Sequence, residues 1–97
     1  MKNLVVSAAI QEKLKTRHSV VLAEVRQCFL NRNGKLLQDD RALTKTHPPT
    51  LWFLAKTNKD RLLKIVYILK NGAVYLKTAY EPNAVELAIY QKHGGSI

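Results

Sequence analysis

Residues Arg61 to Tyr80 read RLLKIVYILKNGAVYLKTAY. Two runs rich in aliphatic and aromatic residues, Arg61 to Lys70 and Ala73 to Tyr80, flank the dipeptide Asn71-Gly72. Asn-Gly between such runs is the strongest short hairpin signal, because a type I′ turn needs positive φ at both central positions. A two-residue turn pairs Lys70 with Ala73, and unbroken pairing then sets Val66 against Lys77 and Lys64 against Ala79. One face holds Leu63, Ile65, Tyr67 and Leu69 against Val74, Leu76, Thr78 and Tyr80, a dry surface for helices. The other holds Lys64, Val66 and Ile68 against Tyr75, Lys77 and Ala79. A three-residue turn would place Lys77 among aliphatics, which is costly without a partner. Thr50 to Lys56 reads as a further strand, joined by Thr57-Asn58-Lys59-Asp60. It adds Phe53 to the mixed face and Trp52 and Leu54 to the dry one.

Glu81-Pro82 ends the last strand, and Asn83 caps a helix with Glu86 three residues on, as in a capping box. On the N-terminal side, Ser7 caps a helix running to about His18, with Ile10 and Leu14 four apart on one side. The break at His18-Ser19 offers a second cap. Val21, Val25, Cys28 and Phe29 then form an apolar stripe at helical spacing up to about Leu30. Asn31-Arg32-Asn33-Gly34 closes that helix with residues that tolerate positive φ. Lys35 to Gln38 reads as a short edge strand, and Asp39 to Pro49 as an exposed loop long enough to be functional. The expected fold is α+β, a single domain over 1–97. It has two N-terminal helices within 1–34, an antiparallel meander of three to four strands within 35–80, and a C-terminal helix over 83–93.

The chain has 97 residues, of which 46% are hydrophobic, ample for a core and against wholesale disorder. Its charge is unbalanced: 16 Lys+Arg face 7 Asp+Glu, a formal +9. Such an excess favours phosphate backbones or anionic surfaces. A membrane partner is not expected. The longest apolar stretch, Ile65 to Leu69, is far too short to span, and no segment pairs a Lys/Arg face with a wide greasy one. The start, Met1 to Val6, lacks the apolar length of a signal peptide and runs into the charged segment Gln11 to Arg17. With a single cysteine, Cys28, read as core filler, this points to the reducing cytoplasm.

The mixed face carries the functional reading. Cations interleaved with aromatics suit RNA: Lys64 and Lys77 meet phosphate, while Phe53 and Tyr75 stack on unpaired bases. Val66 and Ile68 on that face call for a cover, whether a helix, a partner protein or a second copy in a homodimer.

No ligand spacing for a metal exists, since His18, His47 and His93 are far apart and Cys28 stands alone. No glycine-rich phosphate loop or nucleophile elbow occurs. No cofactor is therefore expected. RNA cleavage by the substrate's own 2′-hydroxyl needs only a base, cations for the phosphorane and an acid. Lys64 and Lys77 supply the charge, and His18, His47, Tyr80 or Glu81 exchange protons. Lys13, Lys15, Arg17 and Arg61 hold the RNA backbone. A glycosidic enzyme acting on ADP-ribose would want paired carboxylates, for which only Asp39-Asp40 in a loop is at hand.

Lys13-Leu14-Lys15-Thr16-Arg17-His18-Ser19-Val20 resembles the Lys-rich, His-containing junction between the first two helices of BrnT-type toxins. Asn83-Ala84-Val85-Glu86, with Tyr90 four residues on, is similar to the start of their last helix, and the meander between matches in order and length. The resemblance spans about Lys13 to Tyr90. It implies a RelE-like ribonuclease toxin: a small α+β domain that cleaves RNA without metal and is neutralised by a cognate antitoxin protein. Three positions differ. Tyr80 stands where the family carries an arginine near the end of the last strand, Leu87 replaces the arginine after the helix glutamate, and Ser19 replaces the glycine after the histidine. His18, Glu86 and the sheet location carry over, but the arginines do not. Their charge falls to Lys77 and Lys64, or is lost together with the activity. The alternative is a non-catalytic RNA- or protein-binding module on the same fold.

Overall fold

Asn71 and Gly72 adopt φ of 53° and 77°, the left-handed pair that a type I′ turn requires, and they set Lys70 opposite Ala73. In the computed structural model, which describes residues 3–39 and 48–97, this turn joins the two longest strands. In chain order the elements are β1 (Leu4–Val5), α1 (Ala8–Lys13) running on as a π-helical turn (Leu14–His18), α2 (Leu22–Asn31), β2 (Leu37–Gln38), β3 (Thr50–Lys56), β4 (Leu62–Lys70), β5 (Ala73–Tyr80) and α3 (Ala84–His93). The fold is α+β. The sheet order is β1-β5-β4-β3-β2, with β1 parallel to β5 and the other pairs antiparallel.

The sheet is thus five-stranded and mixed among the described residues, where an antiparallel meander of three to four strands was expected. The additional strand is β1, only two residues long, too short to show an alternation. The edge strand expected at Lys35 to Gln38 is present as β2.

Side-chain facing departs from the expectation twice, each time through one residue of register. Leu62 pairs with Lys56, so five residues connect β3 to β4 rather than four. Asp60 takes φ of 63°, and Thr57 Oγ1 accepts from the amides of Lys59 and Arg61. That extra residue flips β3 relative to β4. Phe53 faces the side of Ile65, while Trp52 and Leu54 lie on the side of Val66 and Lys64. The second departure is a bulge: Tyr67 pairs with Leu76 but Val66 with Thr78, leaving Lys77 as the extra residue. Beyond it Ala79 joins Ile65, and Tyr80 crosses to Lys64. Lys77 stays exposed while the small Ala79 is fully buried.

Helices cover both sides of the sheet. Leu14, Val20, Val25 and Cys28 pack with Phe53, Ala55, Leu63 and Ile65 in the core, and Phe29 meets Phe53 and Tyr67 edge-on at 5.0 and 5.3 Å. On the other side, Tyr90 of α3 is fully buried and lies 5.6 Å from the Trp52 ring. Its hydroxyl donates to the Lys35 carbonyl at 2.7 Å. No helix among the described residues is long and apolar enough to cross a membrane.

The starts of α1 and α3 follow their sequence signals, whereas α2 passes at Arg32 into extended backbone, with no positive φ at Asn31, Arg32, Asn33 or Gly34. Ser7 Oγ accepts from the Ile10 amide, and Asn83 and Glu86 exchange bonds at 2.8 and 3.0 Å, a capping box. α2 starts later than the Ser19 cap implied. Val21 precedes it, 55% exposed, with its amide bonded to Glu24 Oε1. Ser19 instead ends the preceding π turn at φ 53°. Left-handed backbone disfavours a residue with a Cβ, so Ser19→Gly is expected to raise unfolding free energy by about 0.5–1 kcal/mol in urea titrations.

Cys28 is fully buried, as its reading as core filler requires, and its Sγ donates to the Ala55 carbonyl at 3.6 Å. Burial, reinforced by Glu24 and opposed by Arg61, pushes the thiol up to about 12. A thiol-reactive disulfide reagent is expected to leave the native chain unlabelled and to label one cysteine after denaturation.

Candidate active-site cleft

The end of the π turn, the start of β4 and the end of β5 meet at one edge of the fold. There Arg17, His18, Ser19, Arg61, Tyr80 and Glu81 line an open cleft of about 410 Å³. The His18 imidazole stands edge-on to the Tyr80 ring, with centroids 5.5 Å apart and planes at 80°. Arg17 is exposed and His18 half-buried.

Arg61 occupies the centre of a polar network. Its Nε donates to Glu81 Oε2 at 2.8 Å, and Nη1 reaches Glu24 Oε2 at 3.1 Å. Nη1 also donates to the Ser19 carbonyl at 2.7 Å and Nη2 to the His18 carbonyl at 2.9 Å. The bond to Glu81, opposed by burial and aided by Glu24, pushes the guanidinium pKa further up.

Tyr80 joins this cleft to a second cluster beneath α3. Its hydroxyl donates to Glu86 Oε2 at 2.7 Å, and Lys64 Nζ donates to the same oxygen at 2.6 Å. Lys64 also lies 4.6 Å from the Trp52 ring centroid and 5.6 Å from that of Tyr80, within the range of cation–π attraction. Burial alone would raise the Glu86 carboxyl, but hydrogen bonds from Lys64, the Asn83 amide and Tyr80 outweigh it and hold the group below the ordinary carboxylate range.

Five of the residues singled out in the sequence therefore converge: Arg17, His18, Arg61, Tyr80 and Glu81. The others do not. Lys64 is ion-paired under α3, and Lys77 is exposed on the β5 bulge. Tyr75 is 41% exposed on a distant part of β5, opposite Ile68. Phe53 is fully buried under α2, so it cannot stack on a base. Lys13 and Lys15 are exposed on the first helix, and Lys15 borders a separate groove with Ala8 and Val21. The face expected to hold Lys64, Lys77, Tyr75 and Phe53 keeps Lys64 and, at its far end opposite Ile68, Tyr75, but Phe53 leaves it for the core, Lys77 sits on the bulge, and Trp52 and Tyr80 join Lys64. The five-residue connection and the bulge are the cause. Asp40 and His47 lie outside the described residues.

Glu24 was not singled out in the sequence. Its signal is its place three residues after Val21, where a carboxylate reaches back to the helix's first free amide. Nothing local connects it to Arg61, 37 positions away. Among the described residues, no group of three or more His, Cys, Asp and Glu is placed to hold a metal ion.

Chemically, the cleft offers an imidazole, a phenol and a carboxylate at its wall and one exposed guanidinium at its rim. No protein-family model matches the chain, and no curated protein matches it at significance.

Proposed function

We propose that this chain is a metal-independent endoribonuclease, toxin-like and held in check by a partner antitoxin in the cytoplasm. The observation that carries the reading is the convergence of His18, Tyr80, Glu81, Arg17 and Arg61 on one open cleft, from three separated segments of a strongly basic chain. In the proposed reaction His18 takes the proton from a substrate 2′-hydroxyl. The 2′-oxygen bonds to the adjacent phosphorus, the bond to the 5′-oxygen breaks, and a protonated group of the cleft returns a proton to that oxygen. The products are a 2′,3′-cyclic phosphate and a 5′-hydroxyl. Arg17 faces solvent and meets the phosphate.

One observation favours a second reading, a non-catalytic RNA- or protein-binding module. Two of the cations around Tyr80 are already ion-paired, Lys64 with Glu86 and Arg61 with Glu24 and Glu81. The test is incubation of the purified chain with single-stranded RNA in excess EDTA. The proposal expects cleavage to cyclic-phosphate ends, with an affinity that falls steeply with salt. Salt-sensitive binding without cleavage would replace it with the module.

A further inference from the structure

Arg61 is surrounded by acceptors. A guanidinium has five N–H bonds, and among the described residues four are committed: Nε–H to Glu81, the Nη1 pair to the Ser19 carbonyl and the Glu24 carboxylate, and one at Nη2 to the His18 carbonyl. A phosphate arriving there would meet two carboxylates that outnumber the single cation. The two carbonyls flank the left-handed corner at Ser19, φ 53°, a backbone state that persists only where its surroundings over-determine it. Glu24 belongs to α2 and Glu81 follows β5, so the guanidinium ties the corner to both.

We propose that Arg61 is a positioning residue: fixed by Glu24 and Glu81, it grips the His18 and Ser19 carbonyls and thereby sets the His18 imidazole against Tyr80 at the cleft. This rests on the reading of His18 as the reacting base and reassigns Arg61 from holding the RNA backbone. An ammonium cannot reproduce the planar fork, so lysine is no substitute at this position.

The experiment compares Arg61→Ala, Arg61→Lys and Glu24→Gln with the parent chain. The readouts are cleavage kinetics on a labelled single-stranded RNA, salt-dependent binding of that RNA, and the NMR signals of the His18 ring. Positioning expects Arg61→Ala to lower kcat by about 10²-fold with KM and the salt slope of binding unchanged. Arg61→Lys should recover little, and Glu24→Gln should lower kcat in the same sense. The His18 ring signals, shifted by the edge-on Tyr80 ring, should move in all three variants. A phosphate-ligand role predicts the opposite pattern: weaker binding and a salt slope smaller by about one in Arg61→Ala, with tighter binding in Glu24→Gln. That result overturns the proposal. Should the parent chain not cleave RNA, the ribonuclease reading fails by itself. The NMR signals then decide: unmoved His18 resonances overturn positioning, and displaced ones uphold it. Glu24→Gln carries the test if Arg61→Ala does not fold.

Discussion

His18→Ala is expected to lower RNA cleavage by about 10²–10⁴-fold, the range general acid–base groups contribute, while the fold stays intact. The imidazole is half-buried at a cleft wall, and its ring contact within the described residues is the edge-on one with Tyr80. The structural duty at this position belongs to its backbone carbonyl, which Arg61 holds and which alanine retains. Losing the side chain should therefore leave the denaturant midpoint nearly unchanged and RNA affinity close to that of the parent. Single-turnover cleavage measured beside urea unfolding checks both halves. A parallel collapse of stability and rate would show that the ring supports the fold.

Glu86→Ala is expected to cost about 3 kcal/mol of unfolding free energy, the scale of stranding one partner of a buried ion pair. Three groups lose their acceptor together: Lys64 Nζ, the Tyr80 hydroxyl and the Asn83 amide. The side chains of Lys64 and Glu86 are only 12% and 18% exposed, so water compensates little for a stranded ammonium. Removing both charges with Lys64→Met and Glu86→Gln should recover much of the loss, because a methionine packs against Trp52 without needing a counter-ion. A double-mutant cycle in urea isolates the coupling. The pH dependence has a definite sign. Glu86 is held below its ordinary value of 4.5. Its stabilisation is therefore complete above that value and is lost as pH falls through the lowered one. Relative to Glu86→Gln, the parent chain should lose its advantage only on acidification below about 4.5.

The parts of this molecule legible in its sequence are those governed by local chemistry. Asn71-Gly72 specifies its turn because few other residues tolerate two positive φ values. Ser7, Asn83 and Glu86 mark helix starts because each can satisfy a free amide nearby. The cleft residues were also visible one at a time: His18 at the junction of two helices, Tyr80 and Glu81 at a strand end. Their mutual geometry was not. It depends on a five-residue connection at Thr57 to Arg61 and on a bulge at Lys77. Each changes parity by one without changing the hydrophobic pattern enough to announce itself. The connection moved Phe53 from the expected RNA face into the core and brought Trp52 to the side of Lys64, and the bulge brought Tyr80 opposite Lys64. Pairings such as Arg61 with Glu24 and Lys64 with Glu86 are long-range, 37 and 22 positions apart, and spacing holds no trace of them.

The central claim is that this cleft cuts RNA through His18. Induced expression of the parent chain and of His18→Ala, followed by sequencing of cellular RNA ends, tests it most directly. The account predicts new paired 2′,3′-cyclic-phosphate and 5′-hydroxyl ends with the parent chain and their loss with His18→Ala at equal protein level. New ends that persist unchanged with His18→Ala, or no new ends from the parent chain freed of any antitoxin, would contradict it.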